Sequence, residues 1–275
     1  MKRLLQIILI ILSSFYLVSC NADPKGLVSS SDVDKRFEDN SILPEKKDVV
    51  LAMGEDEFSF IVVADTHVYH GDASALAALK DRLNQDGEND KFLLACGDIS
   101  QCGKAEDYQA FKDALEPEYP VYPAIGNHDL YFDGWHNYRE ILGRSCYTFK
   151  AGEVLFVSFD SANGTLGRKQ KNWLEGVLKN KSESLVVVFT HFEFFSPNTT
   201  TIQQYTDIEE AYYLVHLFKE TGVDYVFMGH SHDYYDKEIN GTHYVNVSGF
   251  ADDHEYLRVK VNRSNGLISY ERKSL

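Results

Sequence analysis

The feature that most constrains this chain is a series of short apolar runs, each followed at once by aspartate, asparagine or histidine. These runs have the length and valine content of buried strands, and helix-like segments separate most of them. The predicted strands are residues 58–64, 91–96, 120–124, 185–190 and 223–228, and the predicted helices are 73–83, 105–115 and 208–220. Because strands alternate with helices, we expect βαβ units and a largely parallel core. Hairpin turns such as Asn240-Gly241 indicate antiparallel additions to this single α/β domain.

The polar clusters contain the residue types that bind transition metals. They are, in chain order, Asp65 with His67, Asp98, Asn127 with His128, His191, and His230 with His232. In open α/β sheets, ligands bind beyond the carboxyl ends of the strands, which is where these clusters are predicted to lie. Asp-x-His and His-x-His in an extended chain direct both side chains to the same side. Imidazole with carboxylate suits manganese, iron or zinc, whereas calcium or magnesium would take nearly all oxygen.

Seven of these residues are candidate metal ligands, which is too many for one tetrahedral ion. The candidates are Asp65, His67, Asp98, Asn127, His191, His230 and His232. They suit two divalent ions that share a carboxylate, and they lack the cysteines of a structural zinc site. A single histidine at a strand end usually has an ordinary structural role. Five clusters in this order are hard to assign to packing, so the sequence predicts a two-metal site.

The N-terminus has the pattern of a secretory signal. Two basic residues precede a short apolar run, and Leu17-Val18-Ser19-Cys20 resembles the bacterial lipobox, in which the cysteine is acylated. The predicted organisation is a signal peptide over residues 1–19, a lipidated Cys20 with a tether over 20–54, and the folded domain over 55–275. Palmitate is among the expected acyl chains. The alternative is an uncleaved anchor with an incidental cysteine.

The acidic charge of the chain disfavours negatively charged binding partners. The sequence has 27 basic and 42 acidic side chains and a formal charge of −15, and loss of Lys2 and Arg3 with the signal would leave −17. Such a surface repels nucleic-acid backbones, so no nucleic-acid partner is expected. We expect the protein to be lipid-anchored in the bacterial cell envelope, outside the cytoplasm. A Cys102–Cys146 disulfide is compatible with that location, although nothing in the sequence requires it.

The five clusters, in this order, resemble those of the calcineurin-like metallophosphoesterase superfamily over about residues 57–248. The resemblance implies an α/β fold, an αββα sandwich of two mixed sheets flanked by helices, with the metal site at the strand C-terminal ends. It implies that Asp98 bridges two ions, with Asp65, His67 and His232 on one ion and Asn127, His191 and His230 on the other. It also implies that His128 is the catalytic histidine and that Gln170 lies on a recurrent helix. Asp129 either orients His128 or is a turn or N-cap residue.

Departures from other branches of the superfamily favour the group of bacterial cyclic-nucleotide phosphodiesterases and their relatives. The segment 97–103 lacks the aspartate and arginine that protein serine/threonine phosphatases carry there. Gln101 stands where purple acid phosphatases have tyrosine, and His128 stands where the lipid A pathway hydrolases have arginine. No arginine or lysine lies within the motifs, and a monoester dianion usually needs such a clamp.

The sequence therefore predicts a lipid-anchored, two-metal phosphoester hydrolase that acts on small phosphate esters, with diesters preferred. One alternative is a phosphomonoesterase with the same site. Another is a non-catalytic surface lipoprotein that keeps the fold and binds a partner or a metal. Aromatic residues over 131–138 and 192–195 could stack a base, but most are interpreted as loop packing.

Overall fold

The computed structural model describes residues 32–195 and 205–275, and these contain two sheets and the helices around them. The strands are β1 Glu57–Val63, β2 Asp90–Cys96, β3 Val121–Ala124, β4 Tyr147–Ala151, β5 Val154–Ser158, β6 Leu185–Phe189, β7 Tyr225–Met228, β8 Tyr235–Ile239, β9 Thr242–Asn246, β10 Glu255–Asn262 and β11 Leu267–Ser274. The helices are α1 Val33–Asp39, α2 Ser74–Asp86, α3 Ala105–Leu115, α4 Gly134–Ile141, α5 Gly167–Asn180, α6 Ile208–Thr221 and α7 Phe250–Asp253. Short 3₁₀ segments span Asn40–Ile42 and His128–Asp133.

Both sheets combine parallel and antiparallel strands. The first sheet has the order β11-β10-β1-β2-β3, and the second has the order β4-β5-β6-β7-β9-β8. In the first sheet β1, β2 and β3 are parallel, while β10 runs antiparallel to β1. In the second sheet β5, β6, β7 and β9 are parallel, and antiparallel strands close both edges. The carboxyl ends of the parallel strands of each sheet therefore lie at one edge of that sheet.

The two sheets pack face to face through a core rich in phenylalanine. Phe60 stacks on Phe92 at 5.0 Å between ring centroids, and Phe149 stacks on Phe156 at 4.7 Å. Phe60 also meets Phe156 of the second sheet edge-on at 5.4 Å. Helices α2, α3 and α4 cover the outer face of the first sheet, and α5 and α6 cover that of the second. The predicted αββα sandwich, with two mixed sheets flanked by helices, is confirmed.

The predicted strands and helices match the observed ones closely because their apolar runs are continuous. Helix α3 has the predicted bounds, and α2 continues three residues beyond the predicted end. Gly87 then ends α2 in the left-handed conformation, at φ 65°, which glycine adopts without a steric penalty. No helix among the described residues is both long and apolar enough to cross a membrane.

The segment 32–49, which the sequence analysis placed in a tether ending at residue 54, packs on the domain. On α1, Arg36 is fully buried and donates two hydrogen bonds to the Asp160 carboxylate, at 2.7 and 2.9 Å. Val49 then forms a parallel bridge with Ala151. A buried arginine requires a paired carboxylate, and Asp160 lies 124 residues away in sequence. The predicted signal peptide and Cys20 lie outside the described residues.

Two further points concern buried side chains, those of two cysteines and that of Gln170. Cys102 and Cys146 are both buried, and no disulfide joins them. The Cys146 thiol instead donates to the side-chain oxygen of Gln170 at 2.5 Å, which places Gln170 in the interior on α5. The helix predicted around Gln170 is thus present.

Arg36→Ala is expected to destabilise the domain strongly, because Asp160 would be left buried without its cation. Removal of one partner from a buried ion pair costs about 3–5 kcal/mol. The measurement is the free energy of unfolding in urea. Lys169→Ala is the matched control, because Lys169 of α5 contacts Glu38 of α1 at the surface. Loss of this exposed ion pair should cost less than about 1 kcal/mol. Equal losses in the two variants would contradict the prediction.

Candidate metal centre

Every predicted ligand lies just beyond the carboxyl end of a parallel strand. Asp65 and His67 follow β1, Asp98 follows β2, Asn127 follows β3, His191 follows β6, and His230 and His232 follow β7. The first three strands belong to one sheet and the last two to the other. The structure brings all seven residues together where the two sheets meet. Their placement agrees with the sequence, while their role as ligands stays a prediction.

The first group consists of Asp65, His67 and His232, whose candidate ligand atoms lie within 4.8 Å of one another. Nε2 of His232 is 3.5 Å from Oδ1 of Asp65 and 3.2 Å from Nε2 of His67. Two ring nitrogens this close cannot both carry protons, but both can direct lone pairs at one cation. Oδ1 of Asp65 is buried without a hydrogen-bond partner in the described part of the chain. This donor set fits a divalent transition metal.

The second group consists of Asp98, His191 and His230, again with ligand atoms within 4.8 Å. Oδ2 of Asp98 is 3.3 Å from Nε2 of His191, which in turn is 3.0 Å from Oδ1 of Asn127. The same Asp98 oxygen is 3.8 Å from Nε2 of His67 in the first group. Asp98 therefore lies between the two groups, as a bridging carboxylate must.

Five of the predicted ligands have an unusual backbone conformation. Asp65, His67, Asp98, His230 and His232 all have positive φ, between 42° and 77°. This left-handed region is uncommon for residues other than glycine, and such strain is concentrated at functional sites. Backbone strain of this kind persists only where the surrounding contacts hold it in place.

Hydrogen bonds between neighbouring loops hold this strained backbone in place. The Asp65 amide donates to the Gly97 carbonyl at 3.1 Å, and the His67 amide donates to the Asp98 carbonyl at 3.0 Å. A side chain at position 126 would collide with Asp98, since a Cβ atom on Gly126 would lie 2.2 Å from its Oδ1. The β1, β2 and β3 loops are thus packed as one unit around Asp98.

The electrostatics of the site pair buried carboxylates with histidines. Burial opposes the ionisation of Asp65, but contact with His232 and His191 holds the pKa of its carboxyl below the usual value. Burial also favours a neutral His191, yet the adjacent Asp98 raises its pKa to about 9. Contact with Asp65 raises the pKa of His232 to about 10. The two carboxylates therefore create a position that favours positive charge.

His128 lies beside Asp98 of the second group and His67 of the first. Its backbone amide donates to Oδ1 of Asp98 at 2.8 Å, and one of its ring nitrogens lies within 4.8 Å of the ligand atoms of His67 and Asp98. Nδ1 is 3.0 Å from the backbone carbonyl of Gln101. Because a carbonyl only accepts, this contact favours the tautomer with the proton on Nδ1, while the Gln101 side-chain nitrogen lies farther from the same atom, at 3.4 Å. No sequence pattern would have identified this backbone acceptor.

Asp129 is a turn residue, and its predicted alternative role as the orienting partner of His128 is not observed. Its carboxylate accepts hydrogen bonds from the backbone amides of Ile99, Ser100 and Gly126, at 3.2, 3.0 and 2.9 Å. Burial and the nearby Asp98 raise the pKa of Asp129 to about 7. Asp129 therefore fastens the β3 loop to the β2 loop that carries Asp98.

Most aromatic residues near the site are packing residues. Trp135 and Tyr138 are buried in the core that α4 forms with the first sheet. Phe192 is buried and packs on His230, with 4.2 Å between ring centroids. Tyr131 is only half-buried, and its ring lies 4.6 Å from that of His128. Tyr131 is thus the aromatic side chain available at the rim beside His128.

The chain matches the family model of the calcineurin-like phosphoesterases over residues 58–234. This stretch is more than half of the sequence and contains all seven predicted ligands. The chain therefore belongs to the calcineurin-like phosphoesterase family.

One protein of known sequence and two solved structures are similar to the chain. The chain is 26% identical over 214 residues to the serine/threonine-protein phosphatase CPPED1 of Danio rerio, which covers 68% of this chain and 69% of that protein. The structure of GAP50, the anchor in the inner membrane complex of Plasmodium, is similar with a TM-score of 0.58 and 15% identity, over 79% of this chain and 84% of that one. PhoD is similar with a TM-score of 0.58 and 12% identity, over 80% of this chain and 66% of that one. These structures share the fold.

Asp98→Asn is expected to reduce the metal content from two divalent ions per chain to one or none. The carboxylate contacts both groups, so its loss weakens both positions. The measurement is elemental analysis of protein dialysed against manganese. His216→Ala, an exposed histidine on α6, should retain two ions. An Asp98→Asn protein that still holds two ions with unchanged affinity would contradict the bridging role.

Proposed function

We propose that this member of the family hydrolyses phosphodiesters at a centre of two divalent ions, which are manganese, iron or zinc. The observation that carries the proposal is that Asp98 lies between the two ligand groups and that His128 lies beside Asp98. Family membership supports metal-dependent phosphoester hydrolysis, and the preference for diesters is the finer part of the proposal.

The carboxylates would set the position and charge of the ions. Bound divalent ions supply Lewis-acid stabilisation of phosphoryl charge and an activated water. Asp98, between the two groups, would fix the separation of the ions. Two ions with Asp65 and Asp98 leave a local charge of +2 in a chain whose formal charge is −15. A phosphate ester would thus be attracted to the centre and not to the general surface.

His128 would serve as the proton donor to the leaving oxygen. The Gln101 carbonyl accepts the Nδ1 proton, so in the imidazolium form the second proton, on Nε2, would pass to the leaving oxygen and leave a neutral ring. The bond from the His128 amide to Asp98 couples the position of the ring to the metal centre. General acid catalysis of this kind contributes about 10²–10⁴-fold to a rate.

The charges around the centre favour a diester over a monoester. All ion pairs that Asp65 and Asp98 form within the described residues are with histidines. Lys104 engages the ring of Phe132 at 5.1 Å. A monoester dianion would gain most from an arginine or lysine clamp, whereas a diester carries a single charge. The similarity to the serine/threonine-protein phosphatase of Danio rerio supports a second candidate function, phosphomonoester hydrolysis. Phosphoproteins would then be among the substrates of this chain.

We also propose that the protein is anchored by lipid at Cys20, outside the cytoplasm. The signal-like N-terminus and the lipobox-like Leu17-Val18-Ser19-Cys20 support this location. Several acyl chains on one cysteine give stable membrane attachment, where a single chain gives only reversible binding. The substrate would then be an ester available at the cell envelope.

Purified protein with manganese is expected to hydrolyse bis-p-nitrophenyl phosphate with at least about tenfold higher kcat/KM than p-nitrophenyl phosphate. His128→Ala should lower kcat by about 10²–10⁴-fold and keep both metal ions, because the proton donor is lost while the ligands remain. His136→Ala, an exposed histidine on α4, is the control and should keep full activity.

Three outcomes would count against parts of this proposal. A preference for the monoester would support the phosphomonoesterase. Absence of turnover with either ester would favour the non-catalytic binding lipoprotein. Full activity of His128→Ala would remove this histidine from the mechanism.

Cys20→Ser is expected to abolish lipid attachment in a bacterial host, because serine offers no thiol for acylation. The wild-type protein should incorporate labelled palmitate and partition into the detergent phase, and the variant should do neither. Cys102→Ser, inside the folded domain, should behave like the wild type. Labelling of the Cys20→Ser protein would refute this anchor.

A further inference from the structure

We infer that Asp252 is a positioning residue of the metal centre, whose carboxylate holds His232 in the orientation and tautomer that a metal ligand needs. The inference rests on the proposed metal centre and adds to it a residue outside the ligand set. It comes from the contacts of α7, a single helical turn that connects β9 of the second sheet to β10 of the first.

This turn binds both loops of the first ligand group. The Phe250 amide donates to the Ala64 carbonyl at 2.9 Å, and the Ala251 amide donates to the Asp65 carbonyl at 3.1 Å. The amide of Gly249, just before the turn, donates to the His232 carbonyl at 3.2 Å. The turn therefore joins a ligand loop of one sheet to a ligand loop of the other.

The approach of the turn to His232 is too close for any side chain at position 249. A Cβ atom on Gly249 would lie 2.7 Å from the His232 ring. This contact places the ring directly against the backbone of the turn. Asp252 follows three residues later, one helical turn along, and so reaches the same ring.

The carboxylate of Asp252 contacts the outer nitrogen of the imidazole. Oδ2 of Asp252 is 2.5 Å from Nδ1 of His232. An ionised carboxylate only accepts, so Nδ1 carries a proton and Nε2 is the nitrogen left to bind a cation. Nε2 is the atom that lies 3.5 Å from Asp65 and 3.2 Å from His67 in the first group. A carboxylate on the outer nitrogen of a ligating histidine fixes the ring and raises its basicity.

His232 differs in this respect from two other predicted histidine ligands. Nδ1 of His191 is 2.9 Å from the backbone carbonyl of Cys96, a neutral acceptor. Nδ1 of His67 is buried and has no hydrogen-bond partner among the described residues. Of these three ligands, His232 alone has a carboxylate within hydrogen-bond distance of Nδ1, so we expect the first metal position to depend on Asp252.

The exposure of Asp252 separates this role from a role in folding. Its side chain is 61% exposed, and the backbone amides of Asp252 and Asp253 both donate to the Gly249 carbonyl whatever their side chains are. Loss of the carboxylate therefore leaves the turn intact. Asp253 is also exposed and carries the same charge, but no hydrogen bond between its side chain and a ligand is found in the described part.

The test is calorimetric titration of metal-free protein with Mn²⁺, for the wild type, Asp252→Ala, Asp252→Asn and Asp253→Ala. Asp252→Ala should weaken one of the two ions by about 10–100-fold. Asp252→Asn should weaken it less, because its amide oxygen still accepts from Nδ1. Asp253→Ala should bind like the wild type, and all metal-free proteins should unfold at similar temperatures.

Equal manganese affinities for Asp252→Ala and Asp253→Ala would overturn the inference. If the wild type then still binds two ions and hydrolyses the diester, the proposed function stands without it. A wild type that binds no manganese would refute both. Should Asp252→Ala fail to fold, Asp252→Asn is compared with Asp253→Asn, and equal affinity in that pair overturns the inference.

Discussion

The rest of the structure depends on the pairing of two buried carboxylates with histidine side chains. Asp65 and Asp98 are 0% and 2% exposed, and a buried carboxylate without a partner is strongly unfavourable. Their partners are histidines, and His191 and His232 come from the opposite sheet. The charges are balanced only if the two sheets pack in one relative position. The phenylalanine core between the sheets supplies that position, so packing and electrostatics specify the same arrangement.

A second set of buried polar contacts supports the loops that carry the ligands. Asp129 accepts three backbone amides and so joins two loops of the first sheet. The hydroxyl of the buried Tyr108 on α3 donates to the Asp129 carbonyl at 3.1 Å. These contacts keep the ligand loops in conformations that isolated residues would rarely adopt. The strain at the centre is thus held by the surrounding helices and turns.

Much of the fold and of the candidate site could be predicted from the sequence because both follow from strand direction. Continuous apolar runs such as residues 185–190 identify buried strands, and parallel strands carry the residues that follow them to one edge. The residues missed have no such local pattern. Gln101 acts on His128 through its backbone carbonyl, and Asp252 lies 20 positions after the histidine that it contacts. Arg36 resembled a residue of a polar linker, because its partner Asp160 is far away in sequence.

The position of α1 limits the distance between the domain and a bilayer, if Cys20 is the lipid anchor that we propose. Arg36 of this helix pairs with Asp160, which lies beyond the carboxyl end of β5. The last residue of the helix, Asp39, accepts a hydrogen bond from Trp135, which follows the 3₁₀ segment His128–Asp133. The chain thus joins the sandwich at the same end as the metal centre. In the sequence Asp32 follows Cys20 by twelve positions, and a chain of that length reaches at most about 43 Å even when fully extended. If Cys20 carries the proposed acyl chain, this limit would keep the carboxyl ends of the parallel strands near the lipid headgroups, where they would meet esters of the membrane surface first.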